Sequence, residues 1–172
     1  APSPAFDDLI QAATAMPSTM AASIDGTPRF VPLNLVDRSV GIYAFGVVSA
    51  ALYSRERTGK GQRVDIPMFE TMVPFVLGDH FYGEKFVPSK GAFGYPRLLS
   101  PMRKPFRTKD AHVCCVIYQD HHWKAFLDIL GMPEMYESDP RIANITSRTT
   151  HADDLNAFVE KHLAEKTTAE WR

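Results

Sequence analysis

Between Arg38 and the charged triplet Arg55-Glu56-Arg57 runs an uncharged stretch of 16 residues, Ser39 to Ser54 (SVGIYAFGVVSAALYS). A bilayer span needs about 20 predominantly apolar residues; this run is shorter and carries Gly41, Gly46 and serines. A segment apolar on most sides yet too short to span predicts a buried core helix, which only a chain with a substantial interior can house. Composition agrees: 172 residues, 45% hydrophobic, 23% charged and a net charge of −1 describe a globular protein and exclude a disordered tail. Near neutrality removes any global electrostatic case for nucleic acid or an anionic membrane as partner. The two cysteines, Cys114 and Cys115, are adjacent, which excludes a disulfide scaffold. No basic segment followed by an apolar run opens the sequence, and with reduced neighbouring thiols the cytoplasm is the expected compartment.

Residues 5–15 read as a helix with Leu9, Ile10 and Ala13 on one face. The core helix starts just after Asp37 and stops at Arg55-Glu56-Arg57-Thr58-Gly59, charged residues followed by glycine. Gln62 to Ile66 alternates as a short strand, and Pro67 suits the first position of a helix carrying Met68, Phe69, Met72, Phe75, Val76 and Leu77. From Tyr82 onward, Gly83, Pro88, Gly91, Gly94, Pro96 and Pro101 break every periodicity, so residues 82–102 read as a linker between unit 1–81 and unit 103–172. In the second unit, Lys104–Thr108 and His112–Tyr118 read as the strands of a hairpin. A helix over about His121–Leu130 is stopped by Gly131, and another begins near Thr150 with Thr150 and Asp153 as a capping pair. Thr167 with Glu170 fits a capping box two residues before the last residue, which predicts a chain truncated within a larger protein.

Few residues carry chemistry on spacing alone. Asp37 stands at a helix start, where amide groups favour an anion; a plain N-cap and an activated carboxylate are both open. The loop Arg57-Thr58-Gly59-Lys60-Gly61-Gln62 lacks Walker spacing and reads as a solvated turn. Adjacent Cys114 and Cys115 with His112, His121 and His122 offer no metal-ligand spacing, so no metal is expected. His80 and His162 sit on apolar helix faces and read as packed residues. Five basic residues between Arg97 and Lys109, with no acidic one, make a solvated face or an anion-attracting patch.

The ordered set Asp37-Arg-Ser-Val-Gly41, Arg57-Thr-Gly-Lys-Gly-Gln-Arg-Val-Asp-Ile-Pro-Met-Phe-Glu70, Pro105-Phe-Arg-Thr-Lys-Asp110, Trp123 and Lys166-Thr-Thr-Ala-Glu-Trp171 resembles the family III CoA-transferases. These share a fold with the α-methylacyl-CoA racemases. The resemblance implies an α/β chain: a piece of a Rossmann-like large domain (1–81), a linker, and a small α+β domain, truncated at both ends. It implies coenzyme A, as acyl-CoA, and a carboxylic acid as substrates, and an interlocked homodimer. Asp37 falls on the family's catalytic aspartate, the covalent carrier of an aspartyl-CoA thioester, and Met68 on a methionine near the CoA site. For Met68, core packing stays equally open. Most CoA-binding residues would lie upstream of Ala1, so the 172-residue piece alone is expected to be inactive; the oxyanion donors are not identifiable.

Two departures bear on the reaction. Racemases place a histidine directly before the aspartate matching Asp7; here Phe6 stands there, which favours transferase over racemase or epimerase. No glycine-rich lid loop is recognisable at Gly91–Leu99, which speaks against an oxalate/formate pair. Ala111 also replaces the glycine common after such an aspartate turn. A non-catalytic, partner-binding piece is the rival from another class.

Overall fold

The computed structural model describes residues 4–172. The chain divides into two compact units, Ala1–Tyr95 and Pro96–Arg172, the division falling inside the Pro/Gly-rich stretch. Both are mostly helical, with one two-stranded sheet among the described residues.

The first unit contains α1 (Asp7–Ala13), α2 (Met16–Ser23), α3 (Leu35–Thr58) and α4 (Met68–Leu77), followed by a 3₁₀ turn over Tyr82–Lys85. The helix expected over residues 5–15 is broken at Ala15, whose φ of 60° ends α1 and lets Pro17 open α2. Its inner face is also different. Asp7, Ile10, Gln11 and Thr14 are buried while Leu9 is exposed, an i, i+3, i+4, i+7 set that includes three polar side chains. Ile10 joins Met16, Val36, Val40 and Met72 in the core, with Leu35, Ile66 and Met68 packed around them.

α3 corrects the expectation of a buried core helix. Val36 and Val40 are its buried residues, whereas Ile42 is 75% and Phe45 77% exposed. The reason is architectural: α3 is about 36 Å long, and it packs against α1 and α4 chiefly through its first turns. By length and composition alone it is apolar enough to cross a membrane. Its stop is as expected, with Gly59 in the left-handed region (φ 70°) and its N–H bonded to the Arg55 carbonyl at 2.8 Å. The strand expected at Gln62–Ile66 is not formed. Val64 and Ile66 do turn inward alternately, but no strand lies beside them among the described residues. Pro67 stands just before α4 as its cap residue.

The second unit runs α5 (Pro96–Leu99), β1 (Phe106–Arg107), β2 (His112–Val113), α6 (Asp120–Leu130), α7 (Met135–Ser138), α8 (Ile145–Thr150) and α9 (Ala152–Leu163). The strands pair antiparallel, Phe106 with Val113 and Arg107 with His112, and are shorter than the sequence pattern predicts. Ala111 is not among the positive-φ residues, so this turn does not need the glycine that Ala111 replaces. Trp123, Phe126, Leu127, Ile142, Leu155, Val159 and Leu163 form the core with Phe106. Arg148 is buried, donating to the Ile142 and Tyr118 carbonyls and, at 2.6 Å, to the Asp120 carboxylate.

The Thr150–Asp153 cap does not form. α9 starts at Ala152, Thr150 donates to the Thr146 carbonyl, and Asp153 accepts from the Ser100 hydroxyl. The Thr167–Glu170 box does form, the Thr167 N–H and hydroxyl both meeting Glu170 Oε2 at 2.7 and 2.8 Å. It is joined to the hairpin turn through Asp110, which accepts from the Thr168 N–H at 2.8 Å. The Thr168 N–H holds the Asp110 carboxyl below its ordinary value of 3.8, and the Thr167 N–H lowers Glu170 likewise. Both groups are lowered on folding, so their contribution is present above the ordinary carboxylate range and is lost as pH falls through the folded values. In a Trp123→Phe chain, Trp171 emission, sensitive to its 2.9 Å bond to the Leu163 carbonyl, is therefore expected to change with a midpoint below 4.5, the ordinary value of the adjacent Glu170. A midpoint at or above that value removes the linkage.

Candidate functional site

Asp37 is the third residue of α3, one turn deeper than a cap. The cap position belongs to Asn34, whose side chain makes no capping bond. The role is taken from outside the helix: the Asp37 N–H donates to Asp7 Oδ1 at 3.0 Å. A side-chain oxygen on the third N–H is the geometry of an N-cap, here supplied by a carboxylate thirty residues earlier. Asp7 is only 8% exposed, and its other oxygen accepts from the Gln11 side-chain amide at 2.6 Å. Gln11, fully buried, accepts in turn from the Val31 N–H at 2.9 Å. Two side chains of α1 thus hold the backbone on both sides of the turn that opens α3.

The arrangement leaves the Asp37 side chain exposed above a fixed backbone. Its carboxylate accepts no hydrogen bond from the described residues. An anchored backbone with a free carboxylate is what a nucleophile at this position requires.

Met68 opens α4, half-buried against the core that includes Val36 and Val40 of α3. Packing therefore accounts for its position. A cavity of about 310 Å³ lies between α3 and α4, lined by Tyr43, Val47, Asp65, Ile66, Glu70 and Pro74 among others, and includes neither Asp37 nor Met68. The Arg57–Gln62 loop is exposed, with the Arg57 guanidinium over the Tyr53 ring at 5.8 Å.

Three of the histidines are engaged in the fold. His80 Nδ1 accepts from the Tyr95 N–H at 3.4 Å, and His162 Nδ1 lies 2.9 Å from the Phe158 carbonyl. His122 accepts from the Gln119 N–H at 3.2 Å, completing a capping box on α6. No group of three or more His, Cys, Asp or Glu converges to hold a metal among the described residues. Burial pushes the Cys115 thiol up, keeping it protonated. Of the basic patch, Lys104 pairs with Glu160 at 3.0 Å and Arg97 covers the Tyr118 ring at 4.9 Å.

Asp7 and Gln11 lie off the Leu9, Ile10 and Ala13 face expected from the sequence; the signal that marks them is an acceptor–amide pair at i, i+4 in phase with Ile10 and Thr14.

The sequence profile of CoA-transferase family III matches residues 1–172. An acetyl-CoA:oxalate CoA-transferase of Acetobacter aceti is 32% identical across 98% of this chain and 43% of its own length. A protein of Mycobacterium tuberculosis named a probable fatty acyl-CoA transferase is 30% identical over 95% of this chain and 44% of its own. A crystal structure of a Mycobacterium tuberculosis protein described as hypothetical superposes with a TM-score of 0.75 at 27% identity, covering 98% of this chain and 44% of that one. A CaiB/BaiF family protein from Brucella suis, at 21% identity and a TM-score of 0.58, shares the fold. The chain thus spans less than half the length of these relatives.

Proposed function

The chain belongs to CoA-transferase family III, and on that basis we propose that the full-length protein moves CoA between an acyl-CoA and a carboxylic acid, with Asp37 as covalent carrier. The observation that carries this reading is the free Asp37 carboxylate at the start of α3, its backbone tied down by Asp7. The carboxylate attacks the thioester carbonyl, and CoA thiolate leaves to give a mixed anhydride. The thiolate then attacks the aspartyl carbonyl of the anhydride, expelling the donor carboxylate and forming an aspartyl-CoA thioester. An acceptor carboxylate opens that thioester, again through an anhydride. The returning thiolate takes the acceptor's acyl group and regenerates the Asp37 carboxylate. Each tetrahedral state needs donors for its oxyanion.

In this reading residues 1–81 belong to a Rossmann-like large domain whose sheet would take in the unpaired run Gln62–Ile66, and residues 103–172 to a small domain, joined by 82–102. The bare apolar side of α3 is covered in the full-length, cytoplasmic enzyme by its remaining polypeptide or by the other chain of an interlocked homodimer. Met68 borders the CoA site. The 172-residue chain alone is inactive, because the CoA-binding residues lie elsewhere in the family's length.

Donor and acceptor are open: oxalate enters as a candidate acceptor through the Acetobacter aceti relative, against the missing lid loop. The mechanism is tested by incubating the full-length protein with acyl-CoA and hydroxylamine and reading the modified peptide by mass. A hydroxamate on Asp37 is expected; modification at another residue, or none during turnover, removes the assignment. Exchange of deuterium at the α-carbon of a bound acyl-CoA without CoA transfer would point instead to a racemase.

A further inference from the structure

We propose that Asp25–Gly26 is a latent modification site: when its turn opens, the Gly26 nitrogen closes on the Asp25 side-chain carboxyl to form a succinimide, which water then opens to isoaspartate. The sequence holds this one aspartate–glycine pair, and no asparagine in it precedes a glycine. The pairing matters because glycine has no Cβ to crowd the approach of its nitrogen to the carboxyl carbon. Both residues are exposed, and the space beside the Gly26 Cα is open to 4 Å, so no neighbouring group bars the ring.

The chemistry needs water alone. The Gly26 nitrogen bonds to Asp25 Cγ and loses its proton, while a carboxyl oxygen departs, so that water leaves. Water then adds at the Asp25 main-chain carbonyl and breaks its bond to the Gly26 nitrogen. The chain now runs through Asp25 Cβ and Cγ, and the former main-chain carbonyl carbon ends as a free carboxylate. Composition is unchanged, but the backbone between α2 and Val31 is longer by a methylene.

In the folded chain both reacting groups are engaged elsewhere. The Gly26 N–H donates to the Ala21 carbonyl at 2.9 Å, a bond that attack by its nitrogen has to break. One Asp25 carboxylate oxygen accepts from the Thr27 N–H and the other from the Arg29 guanidinium, each at 2.9 Å. The first is the bond, two residues on, by which aspartate closes a turn on its own backbone. The Thr27 N–H, with Arg29 behind it, also holds the carboxyl below its ordinary value of 3.8, and a carboxylate gives up oxygen less readily than the neutral acid. Cyclisation therefore proceeds from the opened turn, at a rate set by how often the turn opens.

The test does not depend on catalysis. The 172-residue chain and a synthetic peptide spanning residues 21–30 are incubated side by side in warm neutral buffer. Isoaspartate at residue 25 is read as resistance to a protease that cleaves before aspartate, and by electron-transfer fragmentation. The folded chain is expected to accumulate it about tenfold more slowly than the peptide, and to approach the peptide's rate once urea unfolds it. Asp25→Glu, which keeps the carboxylate but has to close a larger ring, should accumulate no isomer at that position. Equal rates in the folded chain and the peptide would overturn the guarding role of the turn. Absence of isoaspartate at residue 25 in the unfolded chain would remove the site itself.

Discussion

In the full-length protein, Asp37→Ala is expected to lower CoA transfer by at least about 10³-fold, with Asp37→Asn equally inactive. The size follows from the role. A covalent carrier cannot be replaced by a side chain that forms neither anhydride nor thioester, and the isosteric amide lacks the nucleophilic oxygen. Stability should hardly change, because the carboxylate is exposed and accepts no bond from the described residues. Only its interaction with the helix end is lost, about 0.3–1 kcal/mol. The measurement is the rate at which CoA appears on an added carboxylic acid, alongside the thermal midpoint of each variant. Normal transfer by a folded Asp37→Ala enzyme would sink the covalent mechanism, and inactivity with a collapsed midpoint would make Asp37 a structural residue instead.

The parts of this molecule legible in its sequence are those fixed locally. Gly59 and Gly131 end helices in the left-handed conformation that glycine adopts without strain, and Thr167 with Glu170 closes a turn through bonds three residues apart. What escaped depends on partners distant in sequence. The apolar content of Ser39–Ser54 predicts burial, but burial needs a second surface, and α1 and α4 cover only the start of that helix. Gln62–Ile66 and Cys114–Tyr118 carry strand periodicity, while a strand exists only when a neighbour accepts its hydrogen bonds. The described residues are therefore mostly helical with little sheet: the alternation is written in the chain and the pairing is not supplied by it. Asp37 was found by resemblance, and its helix-start setting by pattern. The residue that holds it, Asp7, is thirty positions away and was hidden by its polarity.

Asp7 should therefore be the most sensitive polar residue of the first unit. Asp7→Ala leaves the Gln11 amide and the Asp37 N–H without an acceptor in a buried site, and is expected to lower stability by about 2–3 kcal/mol. Asp7→Asn is the sharper test. The Val31 N–H must be met by Gln11 Oε1, so the Gln11 amide must face residue 7 as a donor. An asparagine can offer its oxygen to Asp37 or to Gln11, but its own amide then opposes the other donor. Rotating the Gln11 amide only moves the clash to Val31. A carboxylate is the group that accepts from both, so asparagine should cost about 1–2 kcal/mol despite its matching shape. Urea unfolding of the chain measures this, and Asp7→Ala combined with Gln11→Leu should be less destabilising than the sum of the two changes, because the partners fail together. In the full-length protein the same Asp7→Asn change should reduce kcat about tenfold while leaving KM near its parent value, since it loosens the backbone of the proposed nucleophile, Asp37, without touching the substrate. An Asp7→Ala chain within about 0.5 kcal/mol of the parent would show that α3 is held at its start by packing of Val36 and Val40 alone.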